Sequence, residues 1–323
     1  MNIKELSDSI VNETKKIIVG KDDRIKLVIA AILSDGHVLI DDIPGVGKTT
    51  LIKTISKALG CDFGRIQFVP DLLPSDIIGM QIYNQKTSDF ELRKGPVMTN
   101  ILLADEINRA IPRTQAALLE AMEERQITID NESFKLPSPF LVFATQNPVE
   151  NESTFKLPAA QMDRFLIKIS MGYPGLDEEK EMLKNLGDEV SFEEVLAVTS
   201  ADEIKEAQKE IHKVKVSEDV LEYIVALCDA TRNHQSLILG ASPRGARALY
   251  KVSKTFAAMK GREFVTPDDV KEAVKPVLSH RLVLKNSKQL SGGNAESVLD
   301  EILETVNAAP SLDKVAARND DEK

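Results

Sequence analysis

The sequence predicts an α/β fold in which helices cover a mostly parallel sheet and a smaller, all-helical domain follows. Short apolar segments alternate with amphipathic helical segments through the first half of the chain, which is typical of parallel sheets. A glycine-rich loop joins the first apolar segment directly to a helix. Beyond Tyr173–Pro174–Gly175 the pattern is helical with almost no strand signal, so we expect a core over 1–174, a helical domain over 175–308 and a disordered charged tail over 309–323.

The predicted elements alternate along the first domain. The helices have apolar residues three and four apart and cover the N-terminus up to Lys16, Asp22–Leu33, Lys48–Leu59 and Thr114–Arg125. The strands are short apolar runs at His37–Ile40, Ile66–Val69, Ile101–Ala104, Phe140–Thr145 and Leu166–Ile169. Gln126–Leu136 alternates around Asp130–Asn131 and predicts a hairpin, whereas Pro70 and Pro74 predict an irregular turn.

The composition narrows the function classes. The chain is 42% hydrophobic and 28% charged, and its net charge of -10 argues against non-specific binding to nucleic acid or to an anionic membrane. We find no secretory signal and no apolar run of about 18 residues, the length of a membrane span, so we expect a cytoplasmic protein. Cys61 and Cys228 form no CxxC pair, which predicts reduced structural thiols, and the histidines lack the spacing of metal ligands.

The glycine loop carries the first functional signal. The pattern GxxxxGK[ST] ends here in Gly47, Lys48 and Thr49, but Asp42 stands where the pattern has its first glycine. Glycines let the main chain curl so that successive N–H groups point at phosphate oxygens, and the following helix adds its positive N-terminal end. Lys48 would reach the β- and γ-phosphates, and Thr49 would ligate Mg²⁺. The alternative is a plain glycine turn; the functional interpretation is a nucleotide site formed by Pro44, Gly45, Val46, Gly47, Lys48, Thr49 and Thr50.

Polar residues also follow later strands. Asp105 and Glu106 end the Ile101–Ala104 strand; Asp105 would hold Mg²⁺ and Glu106 would polarise the attacking water. Asn147 follows the Phe140–Thr145 strand and would orient that water or contact the γ-phosphate. Alone, each feature is also compatible with a solvated acidic loop or an asparagine turn. Combined with the glycine loop, they predict one shared site for ATP and Mg²⁺.

Two arginines are further candidates. Arg164 precedes the last predicted strand, and Arg244 follows Pro243 at a predicted helix start. The structural alternative is that either arginine is simply exposed to solvent. The functional hypothesis is that each stabilises charge on the phosphate that is transferred.

The order of these motifs resembles that of AAA+ ATPases: Walker A, Walker B, sensor 1, arginine finger and sensor 2. More specifically, the chain resembles the MoxR family. The longest matching stretch is Arg65–Gly79, R-I-Q-F-V-P-D-L-L-P-S-D-I-I-G. The other matching stretches are Asp42–Thr49, Asp105–Ala110, Ala144–Pro148 and Gly240–Arg244.

The resemblance implies an αβα core with a helical lid, assembled into a ring that is usually a hexamer. It implies that Arg164 completes the ATP site of a neighbouring subunit, with Arg109 and Arg113 as the other candidates, while Arg244 acts from the lid of its own subunit. An insertion within Asp71–Gly95 and the Gln126–Leu136 hairpin would both project toward the central pore.

The resemblance also implies a function: ATP hydrolysis that remodels or activates a partner protein. Such activity is chaperone-like, serves complex maturation or metal-cofactor insertion, and often involves partners with von Willebrand A domains. Two other classes stay open. A DNA-dependent AAA+ motor is opposed by the acidic charge balance, and a nucleotide-gated binding module with little turnover is opposed by Glu106, which hydrolysis needs and binding does not.

Overall fold

The computed structural model describes residues 2–130, 132–147, 155–185, 192–285 and 293–308. The chain divides into two compact units, Met1–Ile211 and His212–Lys323. The predicted tail over 309–323 lies outside the described residues. Across the described ranges, no helix combines the length and the apolar character that crossing a membrane requires.

The first unit alternates helices and strands. Its helices are α1 (Ile3–Lys15), α2 (Asp22–Leu33), α3 (Lys48–Ala58), α4 (Pro74–Ile78), α5 (Pro112–Glu124), α6 (Ala159–Met162), α7 (Leu176–Asn185) and α8 (Ala201–Ile211). Its strands are β1 (Val38–Asp41), β2 (Phe63–Gln67), β3 (Gly79–Asn84), β4 (Asp89–Lys94), β5 (Ile101–Asp105), β6 (Gln126–Ile129), β7 (Glu132–Lys135), β8 (Leu141–Gln146) and β9 (Ile167–Ile169).

A parallel sheet forms the centre of this unit. Its strands lie in the order β2, β5, β8, β1, β9, and each neighbouring pair is parallel. Every residue of Ile101–Ala104 and of Leu141–Thr145 is buried. Because successive side chains of a strand point to opposite faces, both faces of the sheet are covered. The predicted α/β class is therefore confirmed.

The edge strand β2 differs most from its predicted bounds. It begins at Phe63 rather than Ile66, and Phe63 and Gly64 pair with Ile101 and Leu102. Only Ile66 is buried in β2, because an edge strand is half exposed. Its polar and apolar residues therefore alternate, and its first half lacks the continuous apolar run that predicts a buried strand.

Two antiparallel hairpins extend from the sheet. The predicted hairpin over Gln126–Leu136 is confirmed as β6–β7, with Ile127 opposite Phe134. The segment in which an irregular turn was predicted also holds regular structure: Pro74 is the first residue of α4, a position that tolerates its missing N–H. The β3–β4 hairpin follows, with Tyr83 opposite Phe90.

The second unit is mainly helical, as predicted. It contains α9 (Glu218–Asn233), α10 (Pro243–Met259), α11 (Pro267–Leu278) and α12 (Ala295–Thr305). A small antiparallel ribbon, β10 (Leu237–Leu239) with β11 (Val283–Leu284), adds strand structure that the sequence analysis did not predict. These strands have only three and two residues, too few for a periodic pattern.

The division between the units lies at Ile211, later in the chain than the boundary predicted at Pro174. Contacts to the first unit explain the difference. The Gln208 amide on α8 donates to the carbonyl of Ile32 at 2.9 Å, and the Lys57 ammonium donates to the carbonyl of Phe192 at 2.7 Å. The first compact unit therefore extends past the change from strands to helices, and the domain bounds 1–174 and 175–308 stay a prediction.

Candidate nucleotide site

The candidate site lies at one edge of the parallel sheet. The strands β5, β8 and β1 are neighbours, and their carboxyl ends lead to Asp105–Glu106, to Asn147 and to the glycine loop. Ligands of open α/β sheets bind at this edge. The structure therefore brings together the predicted residues that follow these three strands.

The glycine loop has the shape that phosphate binding requires. Gly45 and Gly47 have φ angles of 85° and 84°, in the left-handed region that disfavours other residues. A Cβ built on either glycine meets no atom within 4 Å, so the space beside the loop is open. Gly47 directly precedes α3, and the positive end of that helix points to the same place.

Lys48 lies within the curve of this loop. Its ammonium donates to the carbonyl oxygens of Asp42 at 3.0 Å and of Ile43 at 3.2 Å. These bonds fold the side chain back over the loop rather than into solvent. Open space beside left-handed glycines, a helix N-terminus and a local cation together fit a nucleotide phosphate.

Asp105 is held by two side chains from neighbouring strands. The Thr145 hydroxyl on β8 donates to Asp105 Oδ1 at 2.6 Å, and Arg65 on β2 donates to Oδ2 at 2.7 Å. Thr145 Oγ1 also accepts from the backbone N–H of Glu106 at 2.8 Å, so one buried hydroxyl contacts both acidic residues.

Glu106 adopts an unusual backbone conformation. Its φ of 57° and ψ of 49° lie in the left-handed region, which costs a non-glycine residue about 1 kcal/mol. Such outliers cluster at functional sites. Its carboxylate accepts from the Gln67 amide at 2.8 Å and pairs with Arg109 at 3.2 Å, so its side chain is fixed as well.

Arg65 and Gln67 were not among the predicted site residues. They lie two apart on β2, on either side of the buried Ile66, and therefore point to the same face. Arg65 also donates to the Gln67 side chain at 3.1 Å. The sequence does carry a signal for these two site residues: they are polar residues two positions apart at the carboxyl end of an edge strand.

The donor set fits a magnesium ion. Mg²⁺ prefers oxygen ligands and is usually bound by one or two carboxylates, phosphate oxygens and water. Asp105 supplies a carboxylate whose orientation Thr145 fixes, and Thr49 supplies a hydroxyl in the first turn of α3. These are the residues that would hold the ion beside a phosphate in the glycine loop.

The remaining predicted residues lie in three places. Asn147 is buried and directly follows β8. Arg164 lies between α6 and β9 and pairs with Glu123 of α5 at 2.8 Å. Arg244 is an exposed residue in the first turn of α10, in the second unit. Of the other two arginines, Arg109 contacts Glu106, and Arg113 is exposed at the start of α5.

Comparison with known proteins assigns the chain to a family. Residues 37–167 match the model described as the ATPase family associated with various cellular activities (AAA), and residues 229–302 match an AAA lid domain. A crystal structure from Cytophaga hutchinsonii, described as "a putative ATPase", is 39% identical and has a TM-score of 0.89, covering 94% of this chain and 95% of that one.

Curated relatives cover nearly the whole chain. Chaperone MoxR1 of Mycobacterium tuberculosis is 41% identical over 94% of this chain and 82% of its own length. A Bacillus subtilis protein named "Uncharacterized protein YeaC" is 46% identical over 92% of both chains. Protein MoxR of Methylorubrum extorquens is 31% identical over 84% of this chain and 86% of its own length. The chain therefore belongs to the MoxR family of AAA+ ATPases and is an ATP-hydrolysing enzyme.

Proposed function

We propose that this ATPase uses Mg²⁺-dependent ATP hydrolysis at the sheet edge to remodel or activate a partner protein. The observation that carries the proposal is the convergence of the glycine loop, Asp105–Glu106 and Asn147 at the carboxyl ends of neighbouring parallel strands. The family membership supports the chaperone-like character of the activity, because a relative with 41% identity is named a chaperone.

Each residue at the edge has a proposed part in the reaction. The N–H groups from Pro44 to Thr50 bind the phosphates, and Lys48 neutralises charge on the β- and γ-phosphates. Thr49 and Asp105 hold Mg²⁺, which would neutralise charge that develops on the phosphate oxygens. Glu106 accepts the proton of the attacking water, and Asn147 orients that water or the γ-phosphate.

The fixed position of Glu106 supports its role as the base. A general base must stay within hydrogen-bond reach of the proton that it removes. The left-handed backbone of Glu106 and its bonds to Gln67 and Arg109 restrict where its carboxylate lies. The Thr145 hydroxyl donates to the carboxylate of the proposed metal ligand, Asp105, and accepts from the backbone N–H of the proposed base, Glu106, so the same hydroxyl helps to position both residues.

A ring, in our proposal a hexamer, completes the site. Arg164 acts on the ATP of the neighbouring subunit, and Arg244 acts from the lid of its own subunit. The Arg164–Glu123 pair is partly exposed, with side-chain exposures of 30% and 37%, and pairs of this kind contribute about 0–1 kcal/mol. Arg164 can therefore exchange Glu123 for a phosphate at little cost.

The proposed partner is a protein. We infer that the ring acts on a folded protein or a complex with a von Willebrand A domain, during its maturation or the insertion of its metal cofactor. The net charge of -10 favours a protein partner over DNA. Stimulation of hydrolysis by DNA, with salt-sensitive DNA binding, would instead support the DNA-dependent motor.

Steady-state phosphate release tests the hydrolytic site. Glu106→Gln should lower kcat by about a hundredfold or more, because general-base catalysis contributes about 10²–10⁴-fold. Its affinity for ATP should remain. Glu5→Gln, the same change at an exposed residue of α1, is the matched control and should behave as wild type. Equal, negligible rates for wild type and Glu106→Gln would instead indicate a binding module.

Mixing of variants tests the shared site. Arg164→Ala should bind ATP without hydrolysing it, and mixing it with Lys48→Ala should restore part of the activity. In a mixed ring, some sites combine an intact loop with an intact neighbouring Arg164. Arg24→Ala, at an exposed arginine of α2, is the control for loss of a surface charge. Absence of rescue in rings shown to be mixed would count against a trans-acting Arg164.

Capture of partners tests remodelling. Glu106→Gln should retain partners in the presence of ATP, whereas Lys48→Ala, which cannot bind ATP tightly, should not. A recovered protein supports the proposal only if purified ATPase then changes its activity or assembly, and only if Glu106→Gln does not. No such change with any recovered partner would leave the ATPase without its proposed role.

A further inference from the structure

Asp42 departs from the glycine-loop pattern, and the structure gives this residue specific contacts. Its side chain is 5% exposed. Its carboxylate accepts from the Ser170 hydroxyl at 3.0 Å, from the Gly172 N–H at 3.2 Å and from the Met171 N–H. A buried carboxylate needs such donors, because burial of an unpaired charge is costly.

These contacts extend the sheet beyond the end of its strands. In the parallel register of β1 and β9, Ile40 is opposite Ile169. Asp42 and Met171 each lie two residues farther along, where the strands have ended. The Asp42 side chain accepts from the segment that follows β9, while its backbone N–H donates to the carbonyl of Gln146 at 3.2 Å on the β8 side.

Asp42 is also linked to the phosphate-binding lysine. Its carbonyl oxygen accepts from the Lys48 ammonium at 3.0 Å. One residue therefore contacts β8 through its N–H, the lysine through its carbonyl and the Ser170–Gly172 segment through its carboxylate. Glycine at this position would keep the two backbone contacts and lose the third.

We propose that Asp42 is a positioning residue for nucleotide binding. Its carboxylate holds the start of the glycine loop against Ser170–Gly172, so that the loop keeps the curvature its N–H groups need to reach phosphate oxygens. The loop itself contains two glycines in the left-handed region and is intrinsically adaptable. An anchor at its first residue reduces the conformational entropy that phosphate binding would otherwise cost. This inference rests on the proposed role of the loop as the nucleotide site.

Titration with a fluorescent ATP analogue, with Mg²⁺ and with EDTA, measures the effect. Asp42→Gly, which restores the common pattern, should raise the Kd about tenfold, the value of one hydrogen bond to a charged group. Asp42→Asn should raise it less, because the amide keeps one acceptor oxygen. Ser170→Ala removes one donor from an exposed position and should raise it about twofold while leaving the fold intact.

The ratio of the Kd values in EDTA and in Mg²⁺ separates positioning from metal binding. It should stay at the wild-type value in the Asp42 variants, because the loop contributes under both conditions, whereas Asp105→Asn should change it. KM for ATP should rise more than kcat falls. At a temperature where each variant is fully folded, a loss of stability alone would not raise KM more than it lowers kcat while leaving the ratio of the Kd values unchanged.

Two controls match the chemistry of the substitution. Asp41→Asn removes the neighbouring carboxylate, which pairs with the Lys168 side chain at 3.1 Å, and Asp269→Asn removes a fully buried carboxylate in the second unit. Both should keep the Kd within about twofold of wild type.

The outcomes distinguish this inference from the proposed function. If Lys48→Ala binds the analogue as wild type does, the loop is not the nucleotide site, and both proposals are overturned. If Lys48→Ala loses binding while Asp42→Gly, Asp42→Asn and Ser170→Ala all keep the wild-type Kd, the positioning role of Asp42 alone is overturned. A Kd that rises in the order Ser170→Ala, Asp42→Asn, Asp42→Gly supports it.

Discussion

Asp269 in the second unit allows a quantitative prediction about stability and pH. Its side chain is fully buried and accepts hydrogen bonds from three residues. Arg262 binds both carboxylate oxygens at 2.6 and 2.8 Å, Lys260 binds one at 3.0 Å, and Thr266 donates its N–H and hydroxyl at 2.9 Å each. Thr266 is the N-cap of α11, so the cluster joins the end of α10 to the start of α11.

The pKa of Asp269 sets the size of the effect. Burial would raise this pKa, but the hydrogen bonds from Arg262, Thr266 and Lys260 outweigh burial and lower it from 3.8 to about 2. The folded-state pKa lies below the unfolded one, so the ionised carboxylate stabilises the fold above pH 4, and this stabilisation disappears as pH falls toward 2. At 1.36 kcal/mol per pKa unit, the contribution at pH 7 is about 2 kcal/mol. About half of it is lost by pH 3.

Thermal unfolding of Asp269→Asn measures this contribution. For a unit of this size, about 2 kcal/mol corresponds to a fall of about 10 °C in the Tm of the second unit at pH 7. The difference from wild type should shrink between pH 5 and pH 3. Asp268→Asn is the matched control, because Asp268 lies in the same helical turn with its side chain 87% exposed, and it should change the stability by less than about 1 kcal/mol. An unchanged Tm for Asp269→Asn, or a difference that stays constant down to pH 3, would refute the reasoning.

Other contacts lead to further predictions. Thr145→Val should lower kcat at least tenfold without changing the ATP Kd in EDTA, because the Thr145 hydroxyl binds the Asp105 carboxylate and the Glu106 backbone N–H. Thr54→Val is its control and should leave kcat unchanged, because the buried Thr54 hydroxyl has no hydrogen-bond partner among the residues that the structure describes. Arg65→Gln should lower the Mg²⁺ concentration for half-maximal activity by up to about fivefold. The reason is that Arg65 competes with Mg²⁺ for Asp105, and an ion pair with a half-exposed arginine contributes about 1 kcal/mol at most. Magnesium titrations in which that concentration is unchanged or higher would contradict this prediction. Burial raises the thiol pKa values of Cys61 and Cys228 to about 11, so native labelling at pH 8 should be about a hundredfold slower than labelling of the unfolded chain. Similar labelling rates for the native and the unfolded chain would contradict this prediction.

Much of the fold could be predicted from local patterns. The strands β1, β5 and β8 are buried on both faces and therefore appear as continuous apolar runs, and α2 was predicted with its observed bounds. The edge strand β2 was only half predicted, because its polar residues reflect exposure on one side. The two-stranded ribbon β10–β11 was missed, because strands that short depend on pairing rather than on periodicity.

The sequence by itself determined the class of enzyme and the residues proposed for its chemistry: the glycine loop with Lys48, the acidic pair and the order of the motifs are local features that need no partner to be recognised. Only the tertiary structure decided which side chains meet across the sheet. Arg65, Gln67 and Thr145 reach the acidic pair because β2, β5 and β8 are neighbours in space, although their contacts join residues about 40 positions apart. In the same way, Asp42 breaks a sequence pattern but binds the segment after β9, because parallel register places that segment beside the loop. Strand order and register are non-local, and no short pattern encodes them.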